Sequence, residues 1–222
     1  MTPTFGNNDE AAIYEPKIPF APPRRYAGVV AANIRGRDLA WELNKLNLLY
    51  GLGTDTSRAL TRLEALVIVI RLLGFEDKAR AFRGTNPFMD VTNWGGRYVA
   101  FGFAGGITVG TNNDNTLFAP DRLVTYQELT AFLLRILKYS EVKGDFEFRD
   151  ALKKAYLIEM YPAICQNKDR ILFDDAALSM VQALLTRLNA SENRLIDILV
   201  ELGAISQADA DSFIKAVTEE IQ

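Results

Sequence analysis

Residues 61–75, TRLEALVIVIRLLGF, return as residues 125–139, TYQELTAFLLRILKY, with Thr, Glu, Arg and a late Leu kept in register. A chain that reuses one unit in this way folds as a repeat architecture, because each copy needs its neighbours to cover its apolar face. Each copy opens with Thr-x-x-Glu, Thr61 to Glu64 and Thr125 to Glu128. The Thr hydroxyl can accept from the third helical N–H while the Glu reaches back to the Thr N–H, which marks both as helix starts. A fainter third copy, LFDDAALSMVQALL at 172–185, puts Asp175 in the Glu position, Gln182 in the late Arg position and Phe173 where Arg62 stands.

The three repeated helices are apolar on most of their circumference. Leu66, Val67, Ile70 and Leu73 mark the first, Leu129, Phe132, Leu133 and Ile136 the second, and Leu178, Val181, Leu184 and Leu185 the third. Helices this apolar belong inside a bundle. An amphipathic stripe at 39, 40, 43, 46 and 49 predicts a helix before the first of them, and further first helices are expected over about 93–103 and 150–161, the last stopped by Pro162. Two more helices should close the chain, one after Ser191 and one capped at Ser206 with Asp209 three residues on. The expected class is all-α with long loops. Three helix–loop–helix units would surround a central three-helix bundle in a pseudo-threefold arrangement.

The resulting division is a Pro-rich arm at 1–33, a first repeat at 34–86, a second at 87–144, a divergent third at 145–190, and terminal helices at 191–222. The arm holds five of the eight prolines, Pro3, Pro16, Pro19, Pro22 and Pro23, and reads as extended chain, partly polyproline II.

Composition removes several kinds of function. The net charge of −3 favours neither nucleic acid nor a basic membrane patch, and no apolar run is long enough for a membrane span. Histidine is absent, and with it the side chain whose free pKa lies nearest neutrality and the commonest imidazole metal ligand. The single cysteine, Cys165, has no disulfide or zinc partner and reads as an idle thiol. Asn112, Asn113, Asp114 and Asn115 are oxygen-rich but lack calcium-loop spacing, so they read as a polar turn. Glycines 102, 105, 106 and 110 follow no strand and make no dinucleotide fingerprint. No metal, cofactor or catalytic residue is assigned.

The middle copy carries a denser pattern: Phe88-x-Asp90-Val91, Trp94, Tyr98-Val99, Gly106-Ile107-x-x-Gly110, Phe118-x-Pro120 and Val124-Thr125-x-x-Glu128. This resembles the S-layer homology domain. Thr61-Arg62-Leu63-Glu64 is similar to that family's Thr-Arg-Ala-Glu segment, and the resemblance runs over about 34–205 with a divergent third copy. It implies a three-pronged spindle and a non-catalytic, extracellular module of the cell wall or S-layer, whose leader is absent from this chain. The implied partner is secondary cell-wall polysaccharide, often pyruvylated, bound in grooves between repeats. The implied ligand contacts are Arg62, Asp90, Trp94 and the loop from Gly106 to Gly110 with Thr111.

The residues themselves allow an anion at Arg62. It lies in the first turn of a helix, where free N–H groups and the positive dipole end favour negative charge, and its guanidinium can grip a carboxylate with two parallel bonds. The competing reading is an ordinary surface pair with a neighbouring Asp. Tyr126 and Phe173 replace Arg in the other copies, so one anion groove at most is expected; Tyr126 stacks on a sugar or, the favoured reading, packs. Trp94 is a sugar platform or core, Glu64 and Glu128 are caps, and Arg71 and Arg135 are structural. Two other functions stand beside wall anchoring. One is a scaffold making protein contacts, including self-association, in a surface lattice or filament. The other is a glycan-cleaving enzyme using two carboxylates near the groove, among Asp90, Asp114 and Asp121, whose spacing selects no acid and base pair.

Overall fold

The computed structural model describes residues 36–218 except 53–54, 56, 92–93, 113 and 162–168. The Pro-rich arm, Pro162 and Cys165 lie outside the described residues. Among those described the chain is all α-helical: α1 Gly36–Lys45, α2 Arg62–Leu72, α3 Glu76–Ala81, α4 Gly96–Ala104, α5 Tyr126–Ile136, α6 Ala151–Leu157, α7 Phe173–Leu185, α8 Leu195–Glu201 and α9 Gln207–Thr218. No described helix is long and apolar enough to cross a membrane.

The two capping boxes form as the sequence predicts. Thr61 Oγ1 accepts from Glu64 N–H at 3.3 Å, Thr125 Oγ1 accepts from Glu128 N–H at 3.1 Å, and each Glu carboxylate accepts the N–H of its own Thr. Both helices also end alike. Gly74 and Lys138 turn into the left-handed region at φ 67° and 70°, while Phe75 and Tyr139 donate back to Ile70 and Leu134 carbonyls. That is the six-to-one bond of a Schellman stop, which satisfies a terminal carbonyl and reverses the chain.

The reversal decides which helices pair. α4 returns onto α2, α6 onto α5, and α1 packs on α7. Each repeated helix is therefore flanked by the first helix of the following copy, and the N-terminal helix closes the circle on the third. The hairpin expected within each copy is replaced by this interlock. α2, α5 and α7 touch one another pairwise, and their side chains dominate one continuous core. α4 comes close enough to α2 that a Cβ on Gly102 would stand 3.0 Å from Leu66 Cδ1. Phe101 beside it meets the rings of Phe75 and Phe82 edge-on at 6.3 and 5.7 Å.

The residue before each helix start closes a second circle. Leu60 N–H donates to Ile171 O at 3.2 Å, Val124 N–H to Leu60 O at 3.0 Å, and Ile171 N–H to Val124 O at 3.1 Å. All three side chains are fully buried. Buried backbone groups need partners, and three single extended residues satisfy one another by each giving and receiving one bond.

Three differences from the sequence reading remain. α1 stops at Lys45 instead of carrying its stripe to residue 49, because Asn47 takes φ 58°. α6 stops at Leu157 rather than 161, because Glu159 takes φ 59° and Tyr161 N–H returns to Ala155 O. The short α3, which has no side-chain cap and buries only Ala79, has no counterpart in the expected element list. At the C-terminus α8 lies on α7 and α2, while α9 lies on α8 and α1. Ser206 Oγ accepts from Asp209 N–H at 3.1 Å, as its spacing predicts.

Candidate functional site

Most of the residues proposed as groove contacts meet around Arg62. Its side chain crosses from the first copy into the second and is 3% exposed. Nε donates to Phe118 O at 2.9 Å, Nη1 to Glu128 Oε1 at 2.9 Å, and Nη2 to Val109 O at 3.0 Å and Thr108 Oγ1 at 3.3 Å. The guanidinium carbon lies 4.9 Å from the Phe118 ring centre and 5.0 Å from that of Phe132. Burial pulls the Arg62 pKa down to about 10, against the opposing pull of Glu128, so it stays protonated near neutrality. This geometry is a filled socket. The expectation of an Arg62 open to an external acid is corrected: its anion is Glu128, supplied by the next copy.

Glu128 holds a second guanidinium as well. Arg122 Nη1 donates to its Oε2 at 3.1 Å and Arg122 Nη2 to its Oε1. Burial raises the Glu128 pKa, but hydrogen bonds from Arg122 and the charge of Arg62 outweigh it and leave the group below the usual carboxylate range. One carboxylate thus caps α5, neutralises a buried Arg and joins two copies.

Asp90 and the glycine loop build the wall of this socket. Asp90 Oδ1 accepts Phe118 N–H at 2.9 Å and Oδ2 accepts Ala119 N–H at 2.7 Å, which fixes the carbonyl that Arg62 uses. Gly106 turns the chain at φ 68° after α4. Gly110 has no room for a side chain, since a Cβ would lie 2.6 Å from Asn115 Cα. Thr111 N–H donates to Leu117 O at 2.7 Å, and Thr111 Oγ1 donates to the same oxygen at 3.1 Å. The oxygen-rich turn is internally bonded: Asn112 Oδ1 accepts Thr116 and Leu117 N–H, and Asn115 Oδ1 accepts Gly110 N–H.

Trp94 and Tyr126 stand apart from Arg62. Trp94 is 63% exposed and meets Tyr98 edge-on at 5.7 Å. Tyr98 Oη donates to Glu76 Oε1 at 2.9 Å; burial, then that carboxylate, pushes its pKa up to about 12. Glu76 pairs with Arg71, whose guanidinium stacks 3.9 Å from the Tyr50 ring centre. Tyr126 is buried between the second and third copies, edge-on to Tyr161 at 6.2 Å. Arg135 bonds Glu141 and donates to Ile107 O at 2.9 Å, so both late arginines brace loops.

One further register becomes plain only in the structure. An Arg stands three residues before each capping Thr: Arg58-x-x-Thr61-x-x-Glu64 and Arg122-x-x-Thr125-x-x-Glu128. Arg58 grips Glu64 at 2.8 and 2.9 Å just as Arg122 grips Glu128. The signal was present as a period of three. In the third copy the same positions are Asp169, Leu172 and Asp175, and there a cleft of about 620 Å³ opens, lined by Leu123, Asp169, Arg170, Leu172 and Asp175.

No protein-family model matches this chain, and no curated protein matches it. The resemblance to the S-layer homology domain rests on the motif residues.

Proposed function

We propose that the chain is a non-catalytic scaffold of the S-layer homology type that works through protein contacts in a surface layer or filament. The observation that carries this reading is the Arg62 socket. The residue that would read an acidic sugar already holds Glu128 and two backbone carbonyls and is 3% exposed. Prising it open for a ligand would leave Glu128 with one guanidinium instead of two and strand buried donors, each costing about 1–3 kcal/mol. Capture on native and depyruvylated cell wall tests the reading. A scaffold is retained equally weakly by both and self-associates with concentration in sedimentation. Retention that depends on pyruvate would overturn it.

A second reading, wall-polysaccharide anchoring, is favoured by the exposure of the Trp94 indole, since a free aromatic face is a platform for sugar C–H groups. If it holds, Trp94→Ala lowers retention on wall while Arg62→Ala acts only through stability.

A further inference from the structure

Trp41 and Trp94, the two tryptophans of the chain, are 64% and 63% exposed, although a ring of that size gains more than most side chains from burial. Trp94 belongs to a connected surface. Its ring meets Tyr98, Tyr98 donates to Glu76, Glu76 accepts two bonds from Arg71, and the Arg71 guanidinium lies against Tyr50, itself 43% exposed. One chain of contacts thus runs from the connection between α1 and α2 through α2 and α3 to α4, and it holds two outward aromatic rings in place. Fixed aromatic surface is what a polyproline II segment docks on, because its proline rings pack against the aromatic faces and its backbone is already ordered.

Such a segment stands in the Pro-rich arm, outside the described residues. Pro16, Pro19 and Pro22 recur at every third position of EPKIPFAPP, and polyproline II has three residues per turn, so in that form their rings share one face. The connection to the body sets the reach. Residues 24–35 join Pro23 to Gly36 at the start of α1, and twelve extended residues span up to about 40 Å. Tyr50 lies within about 35 Å of Gly36, since the 10 residues of α1 rise about 15 Å and the next five add at most about 19 Å. We infer that residues 15–23 dock on the Trp94 and Tyr50 surface of their own chain. Tethering raises the local concentration of the segment to about the millimolar range, so a contact too weak to join two chains still closes within one. So docked, the arm screens the Trp94 face from any other ligand until it is displaced.

The test places a nitroxide on the arm of the full chain, by Lys17→Cys in a Cys165→Ser background, and reads the broadening of NMR signals near it. Loss of intensity at the Trp94 indole N–H and at the amides of Tyr50 and residues 95–98 is expected. Replacing Pro16, Pro19 and Pro22 together by Ala should restore those signals, and it changes no residue of the folded body. Isotope-labelled chain without nitroxide, mixed with spin-labelled chain at natural abundance, should keep full intensity, because the contact closes within one molecule. Full intensity at Trp94 and Tyr50 in the singly labelled chain would overturn the inference, as would broadening that survives the triple Pro→Ala change. Broadening in the mixed sample would give the surface to the arm of a second copy. A Trp94 indole signal untouched by the nitroxide but shifted by wall polysaccharide would give it to sugar, and either result would overturn the intrachain contact.

Discussion

A single carboxylate and a single guanidinium, Glu128 and Arg62, tie the first copy to the second. Removing one partner of a buried pair and leaving the other wholly unanswered costs about 3–5 kcal/mol, but without Arg62 the carboxylate of Glu128 keeps Arg122. Arg62→Ala is accordingly expected to lose about 1–3 kcal/mol in urea denaturation, the cost of a buried hydrogen-bonded group left short of a partner and more than an exposed arginine would lose. A loss under about 1 kcal/mol would show that the socket is not held by the pair. The pH dependence has a definite sign. Glu128 and Glu64 both have folded pKa values below their unfolded ones, burial working against the arginines and cap donors that prevail. Their contribution is whole above the unfolded glutamate value of about 4.3 and is lost as pH falls through the lower folded values. Stability should therefore drop in acid, and Glu128→Gln should flatten that slope while lowering stability near neutrality. Arg62 as a residue that meets carboxylate was legible from its helix position. That the carboxylate belongs to the same chain was not, because a repeat spacing says nothing about which side chains cross between copies.

Among the helices, cap chemistry was the most legible feature and partner choice the least. Thr61, Thr125 and Ser206 cap as their spacing predicts, because a capping box is a local arrangement whose partners lie three residues apart. α7 is the exception that the sequence also recorded. Its N-cap is Leu172, with no side-chain bond to the first turn, although Asp174 and Asp175 favour the positive end of the helix. Leu172→Thr should supply the missing acceptor and stabilise the protein by about 0.5–1 kcal/mol, the low end of what losing such a cap costs. Thermal denaturation checks this, and a fall in Tm would mean that the contacts of Leu172 outweigh a cap. The pairing of α4 with α2 and α6 with α5 was hidden for another reason. Apolar periodicity gives the buried face of a helix but not the identity of the helix that covers it. Leu39, Ala40, Leu43, Leu46 and Leu49 form one helical stripe in the sequence and all are buried, yet only the first three lie in α1, and its cover, α7, begins at residue 173.

The whole molecule is closed twice, by the backbone circle of Leu60, Val124 and Ile171 and by α1 lying on α7 and α9. Both closures join residues far apart in sequence, so the loop entropy of bringing the ends together must be met before either forms. The all-α class followed from three apolar helices and their caps, whereas the closure depends on a contact between the first and last copies that no local pattern encodes. It follows that damage at the N-terminal helix should be felt in the third copy. Leu43 is fully buried in α1, and truncating such a side chain removes transfer energy and leaves a cavity, about 2–5 kcal/mol together. Leu43→Ala is expected to lower global stability by that amount. In native-state hydrogen exchange it should unprotect amides of α7 and α9 more than those of α5, which α1 does not contact closely. Equal loss of protection in α5 and α7 would indicate that the bundle opens as one unit. Loss confined to α1 would mean that the N-terminal helix is an appendage and that the circle is closed by the backbone bonds alone.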